Sequence, residues 1–107
     1  VCIATNNIRN AFTPYGNGDI FHTAMIAIPV AHLGGADDLP TVLPMITENP
    51  AKALKLDGYG IGEGNKANLV ILDTKVVNDA IIDIPTRLFV IKDGRVTVET
   101  TKTVTVH

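Results

Sequence analysis

The sequence is poor in several things that decide function early. It has one cysteine, Cys2, so it holds no internal disulfide framework and suits a reducing, cytoplasmic setting. It has no positive excess: nine Lys and Arg stand against eleven Asp and Glu, for a formal net charge of −2. A nucleic-acid-binding module needs a basic face, which this composition argues against. Long apolar runs are missing as well. The nearest, Ala24 to Leu33, is interrupted by Pro29 and His32 and falls short of the ~20 residues a membrane helix needs. Histidines number three, with no HxH or HExxH spacing among them. Internal repeats and low-complexity stretches are absent.

What is present is a globular composition. Hydrophobic residues make up 46% and charged residues 19%, with a mean hydropathy of +0.24, which excludes disorder. At 107 residues the chain allows one domain at most. It opens Val1-Cys2-Ile3-Ala4-Thr5, apolar and β-branched, with neither Met nor a leader pattern. Such a start falls inside a structural element, and the sequence is expected to be the tail of a longer protein.

Charge divides the chain. Seven charged residues fall in residues 1–56, the other thirteen in 57–107. Val1–Thr5 reads as a buried parallel strand ending at Asn6-Asn7. Residues 8–18, with Pro14, Gly16 and Gly18, read as a loop. Asp19 is the expected N-cap of a helix carrying Ile20, Phe21, Ala24, Met25 and Ile28, kinked by Pro29 and ended by Gly34-Gly35. Asp37 or Asp38, with Pro40 in the first turn, opens a second helix. Asn49-Pro50 opens a third over Ala51–Leu56. Four glycines between Asp57 and Lys66 make a turn-rich link. Leu69–Leu72 is a strand, and Val76–Ile82 an apolar helical turn. Arg87–Lys92 and Arg95–Glu99 flank Asp93-Gly94, a strong hairpin signal. Thr100–Val106, rich in β-branched residues, either extends the second hairpin strand or frays.

Most candidate chemistry has a plainer structural reading. His22 and His32 read as surface or structural, Cys2 as a core thiol, and Asp37-Asp38 as helix capping. The glycines at 58–64 lead into a strand rather than a helix, which excludes a Walker-type phosphate loop. Hairpin charges alternate in sign and read as a solvated face. The exception is the segment after the first strand: Asn6, Asn7, Arg9, Asn10, Phe12, Tyr15 and Asn17. Amide-rich residues there suit either a ligand at the C-terminal face of a barrel or a loop whose Asn side chains satisfy its own turns.

Three stretches resemble the end of the amidohydrolase superfamily. Residues 62–73, Gly62-Glu63-Gly64-Asn65-Lys66-Ala67-Asn68-Leu69-Val70-Ile71-Leu72-Asp73, resemble its G-x-x-x-G-x-x-A-D-L-V-x-x-D tail, with Asn68 at the usual Asp. Met45-Ile46-Thr47-Glu48-Asn49-Pro50-Ala51-Lys52-Ala53-Leu54 resembles its T-x-N-P-A-x-x-L helix pair, and Val90 to Val96 its closing hairpin. The opening, Ala4-Thr5-Asn6-Asn7-Ile8-Arg9-Asn10 with Pro14-Tyr15-Gly16-Asn17-Gly18-Asp19, resembles the cytosine deaminase and N-isopropylammelide isopropyl amidohydrolase branch.

The resemblance implies an α/β fragment: the last strand and helices of a (β/α)₈ barrel in residues 1–56, and strands of a small β-sandwich in 57–107. Folding alone, such a piece would be mixed α+β. It also implies a divalent metal, Zn or Fe, for the full-length protein, with a small nitrogen heterocycle as substrate. Asn6 matches the family's metal-binding, proton-shuttling Asp, so the catalytic and metal position is substituted. Phe12 matches an aromatic near the substrate ring, and Asn7, Arg9 and Asn17 are further pocket candidates. With no HxH pair, this chain alone is expected to bind no metal and to be inactive. The other readings are a catalytically dead binding module and a subunit that completes an enzyme. Apolar surface at Val1, Ile3, Phe21, Met25 and Ile28 is expected to face outward and drive homo-oligomerisation.

Overall fold

The computed structural model describes all 107 residues, Val1–His107. Helix α1 (Ile20–Val30) begins where the Asp19 side chain accepts the Phe21 N–H at 3.0 Å, satisfying one of the donors that a helix start leaves open. It ends at Val30, four residues ahead of the expected Gly34-Gly35. Pro29 already lies in the last turn, and two bonds close the helix behind it. Leu33 N–H donates to the Ile28 carbonyl at 2.8 Å and His32 N–H to the Pro29 carbonyl at 3.4 Å, with His32 at φ 56. This is a Schellman cap with histidine in the left-handed seat that glycine usually takes.

Helix α2 (Leu39–Ile46) follows Asp38 with Pro40 in its first turn, as expected. The Asp38 carboxylate does not cap it, however. It turns back to accept the Gly35 N–H at 3.2 Å. Helix α3 spans Glu48–Ala53 rather than Ala51–Leu56. Asn49, expected as its cap, instead donates from Nδ2 to the Val1 carbonyl at 2.8 Å. A second Schellman cap closes α3: Leu56 N–H reaches the Ala51 carbonyl at 3.0 Å, Lys55 N–H the Lys52 carbonyl at 3.1 Å, and Lys55 sits at φ 54.

Strands β1 (Leu69–Leu72), β2 (Arg87–Lys92) and β3 (Arg95–Glu99) have the expected bounds and form one antiparallel sheet in the order β1-β2-β3. The β2–β3 turn is Asp93-Gly94, both residues at positive φ (49 and 78), the type I′ geometry that matches strand twist. Asn68 braces this turn, its Oδ1 accepting the Asp93 N–H at 2.9 Å. Beyond β3, residues 100–106 are exposed and form no strand.

The core is small. Ala24 from α1, Val42 from α2 and Ile81 from α4 (Asp79–Ile82) form one buried cluster, with Ile3, Phe21, Ile28, Leu33, Leu43 and Ile46 packed around it. Ile81, 1% exposed, carries residues 57–107 into the same core as residues 1–56. Of the apolar residues expected to face outward, Val1 and Met25 do, whereas Ile3, Phe21 and Ile28 pack inward. Ile26, Val30, Leu54, Leu56 and Ile61 are exposed as well.

Two quantities exceed those of a closely packed monomeric domain of this size. Its accessible surface is 8170 Å², against about 5,800 Å² for a monomeric protein of its mass. Its radius of gyration is 15.4 Å, where a packed domain of this length has about 13 Å. Val1–Thr5 also departs from expectation, since it belongs to no sheet. Its one backbone bond to the helices runs from Ile3 N–H to the Met45 carbonyl at 2.9 Å, and Cys2 is exposed rather than buried. A strand exists only where a neighbour completes its ladder, and none lies beside this segment. No helix is long and apolar enough to cross a membrane.

Replacing Ile81 with Ala should cost about 2–5 kcal/mol, because it opens a cavity where α1, α2 and α4 meet. Ile82→Ala, at an exposed neighbour, is the control. Equal denaturation midpoints for the two variants would show that α4 does not anchor the core.

Candidate functional site

Residues 6–18 form an irregular loop between the Val1–Thr5 segment and α1. Asn10 organises it. Its Oδ1 accepts the N–H groups of Phe12 (3.0 Å) and Thr13 (2.9 Å), its Nδ2 donates to Asn7 Oδ1 at 3.0 Å, and its own N–H reaches the Thr13 carbonyl at 2.9 Å. An Asn side chain can stand in for backbone in this way, which is why the residue recurs in turns. Arg9 Nε donates to the Gly16 carbonyl at 2.8 Å, folding the loop back on itself. Asn17 Oδ1 accepts the Asp19 N–H at 2.9 Å. Gly18, at φ 77, passes so close to Ile8 that a Cβ there would lie 3.2 Å from the Ile8 side chain.

The expected site residues thus fall into two groups. Asn7, Arg9 and Asn17 each spend one polar arm on the loop. Asn7 keeps its Nδ2, Asn17 its Nδ2 and Arg9 both Nη groups for other partners. The side chains of Asn6 and Phe12 take no part in that network. Asn6 is exposed at φ 56, a left-handed conformation that Asn tolerates better than most residues. Phe12 is 88% exposed at the loop tip.

Sequence reasoning missed what lies at the far end of this loop. Arg87, the first residue of β2, was expected on a solvated face. Instead it donates from Nη1 to Asp19 Oδ2 at 3.0 Å and from Nη2 to Asp19 Oδ1 at 2.5 Å, across 68 residues of sequence. Its guanidinium carbon lies 4.9 Å from the centre of the Phe21 ring. This pairing holds the Asp19 carboxyl below the usual carboxylate range, mainly through the Arg87 hydrogen bond; burial opposes the shift and the Phe21 N–H assists it. No local spacing announces such a contact. A shallow depression of about 390 Å³ lies here, lined by Asn17, Gly18, Asp19, Ile20 and Arg87. A second, of about 440 Å³, lies between α3 and residues 57–65 and includes none of the expected site residues.

No group of three or more His, Cys, Asp or Glu side chains converges anywhere in the chain. The loop offers a carboxamide at Asn6 where a metal would favour a carboxylate. The residues present do not by themselves fit a divalent metal centre.

Against known proteins, the sequence model of the amidohydrolase family matches residues 7–98. The chain is 41% identical over 97 residues to N-isopropylammelide isopropyl amidohydrolase of Pseudomonas sp. (strain ADP), covering 90% of this chain and 24% of that protein. Among solved structures, 5-methylcytosine deaminase from Klebsiella pneumoniae liganded with phosphonocytosine superposes with a TM-score of 0.92 at 34% identity, over 99% of this chain and 26% of that one. N-isopropylammelide isopropylaminohydrolase from Burkholderia multivorans ATCC 17616 superposes with a TM-score of 0.79 at 27% identity, over 86% of this chain and 24% of that one. The chain spans about a quarter of the length of the relatives it matches.

The depressed Asp19 pKa fixes the sign of an acid dependence. Around and below about pH 4 the unfolded Asp binds a proton that the folded, paired Asp refuses, so stability rises with pH there. The contribution is complete above the unfolded pKa and is lost as pH falls through the lower folded one. Asp19→Asn should flatten this part of a stability–pH profile measured by chemical denaturation. An unchanged acid limb would remove Asp19 from the account.

Proposed function

This chain belongs to the amidohydrolase family, and we propose that it is the C-terminal part of a cytosine-deaminase-like, metal-dependent hydrolase. The full-length protein would cleave a C–N bond on a small nitrogen heterocycle, by hydrolytic deamination or removal of a substituted amine. The carrying observation is the superposition of nearly the whole chain onto a quarter of a deaminase that holds a cytosine analogue. The excess accessible surface and the unpaired edges of Val1–Thr5 support the same reading, since both suit a piece that packs against further structure. In it, Val1–Thr5 is the last strand of a (β/α)₈ barrel, residues 1–56 complete that barrel, and residues 57–107 supply strands of a small β-sandwich. A cytoplasmic location goes with this assignment.

The divalent metal, Zn or Fe, belongs to the full-length protein in this reading, and the chain alone is inactive. The roles left to its own residues follow from their chemistry. Phe12 presents an aromatic face on which a planar heterocycle can stack. The free Nη groups of Arg9 and the Nδ2 groups of Asn7 and Asn17 can donate to ring carbonyl or ring nitrogen acceptors. Asn6 can orient a polar substituent by hydrogen bonding, but its carboxamide is not basic enough to take up a proton. That substitution favours the second reading, a catalytically silent module that binds the heterocycle or completes another subunit.

Asn6→Asp in the full-length protein separates the two. Restoring a proton acceptor should raise kcat for hydrolysis of an aminopyrimidine or alkylamino-triazine by about 10²–10⁴-fold. Heterocycle binding without turnover in both forms would instead establish the silent module. The isolated chain should also self-associate, as a symmetric dimer covering Met25, Ile26 and Val30. A monodisperse monomer at high concentration, by size-exclusion chromatography with light scattering, would overturn this.

A further inference from the structure

We propose that Arg87 is a positioning residue for the 6–18 loop, setting from the sheet the orientation in which the loop presents Asn6 to Asn17. This rests on the reading of that loop as the heterocycle-binding segment.

The loop has two ends, and they are held differently. At the start, Ile3 N–H is bonded to Met45 and the Val1 carbonyl to Asn49, both within the helical part of the chain. At the finish, the hold passes through Asp19 to a different part of the molecule. Asp19 N–H is bonded to Asn17 Oδ1, its Oδ1 accepts the Phe21 N–H, and both carboxylate oxygens receive Arg87. A single residue therefore joins the three: the Asp19 backbone N–H holds the loop end, and its carboxylate holds the start of α1 and strand β2.

Geometry makes this a device for orientation rather than simple attraction. Two parallel N–H···O bonds fix the carboxylate plane as well as its position, which a lysine ammonium cannot do. The guanidinium is itself held, because it lies over the Phe21 ring and Phe21 packs against the core. Arg87 also sits on the central strand, which pairs with β1 on one side and β3 on the other. The best-braced element of the sheet thus determines how the loop's last residues leave for α1.

Hydrogen–deuterium exchange on the full-length protein tests this. In Arg87→Met, peptides covering residues 6–18 should exchange about tenfold faster, while peptides from α2 and from the β2–β3 hairpin keep their protection. Arg87→Lys should recover only part of the lost protection, because it restores charge without the fork. Asp19→Asn, which keeps an acceptor for the Phe21 N–H, should loosen the loop while sparing α1, and it remains informative if Arg87→Met does not fold. Unchanged exchange in residues 6–18, or an equal rise in loop, α2 and hairpin, would overturn the proposal. Failure of Asn6→Asp to confer turnover would count against the hydrolase reading alone, since the exchange readout needs no activity.

Discussion

One residue, Asp19, carries three jobs at once. Its backbone N–H ends an irregular loop on Asn17, while its carboxylate starts a helix and receives a guanidinium from the sheet. A surface ion pair is worth little, but this one is half-sheltered, bidentate and backed by an aromatic ring. Its importance lies in connectivity. Ile81 supplies the apolar link between the two stretches of chain, and Asp19–Arg87 supplies the polar one. Without the pair, the loop would be directed from its helical end alone.

A chain with so little interior cannot rest on burial in the usual way. The conformational entropy of ordering 107 residues is large, and a core of a few small and medium side chains offsets little of it. Backbone bonding within caps, turns and the hairpin therefore defines this fold locally, while apolar surface remains uncovered. The relatives, about four times longer, show the same shape embedded in a much larger protein. Local geometry specified strongly enough to be recognisable, combined with weak overall burial, is what a segment of a large fold should look like.

Legibility in the sequence followed the range of the interactions. The hairpin at Asp93-Gly94, the Asp19 cap and the strand Leu69–Leu72 were readable because neighbours in sequence determine them. Both Schellman caps were hidden, since His32 and Lys55 occupy seats where glycine is the usual signal. Val1–Thr5 has the composition of a strand, but strand formation depends on a partner, which local composition does not report. In the loop, the polar residues were identifiable, but their division of labour was not. Asn10 was one amide among several until its two acceptor bonds to Phe12 and Thr13 made it the organiser. Arg87 looked like any charged hairpin residue, because its partner lies 68 positions away.

The sheet has a consequence of its own. Strand β3 is terminal in the order β1-β2-β3 and exposed along its whole length, so one row of its amides and carbonyls faces outward without a ladder. Val96 and Val98 give that rim the stickiness of an unfinished β-structure, while Arg95 and Glu99 mark its two ends with opposite charge. An antiparallel newcomer of the same sequence would set Arg95 against Glu99 and be welcomed, whereas a parallel one would stack like on like and be repelled. The rim is therefore selective about direction: it discourages in-register parallel stacking of the amyloid kind while leaving antiparallel strand addition open.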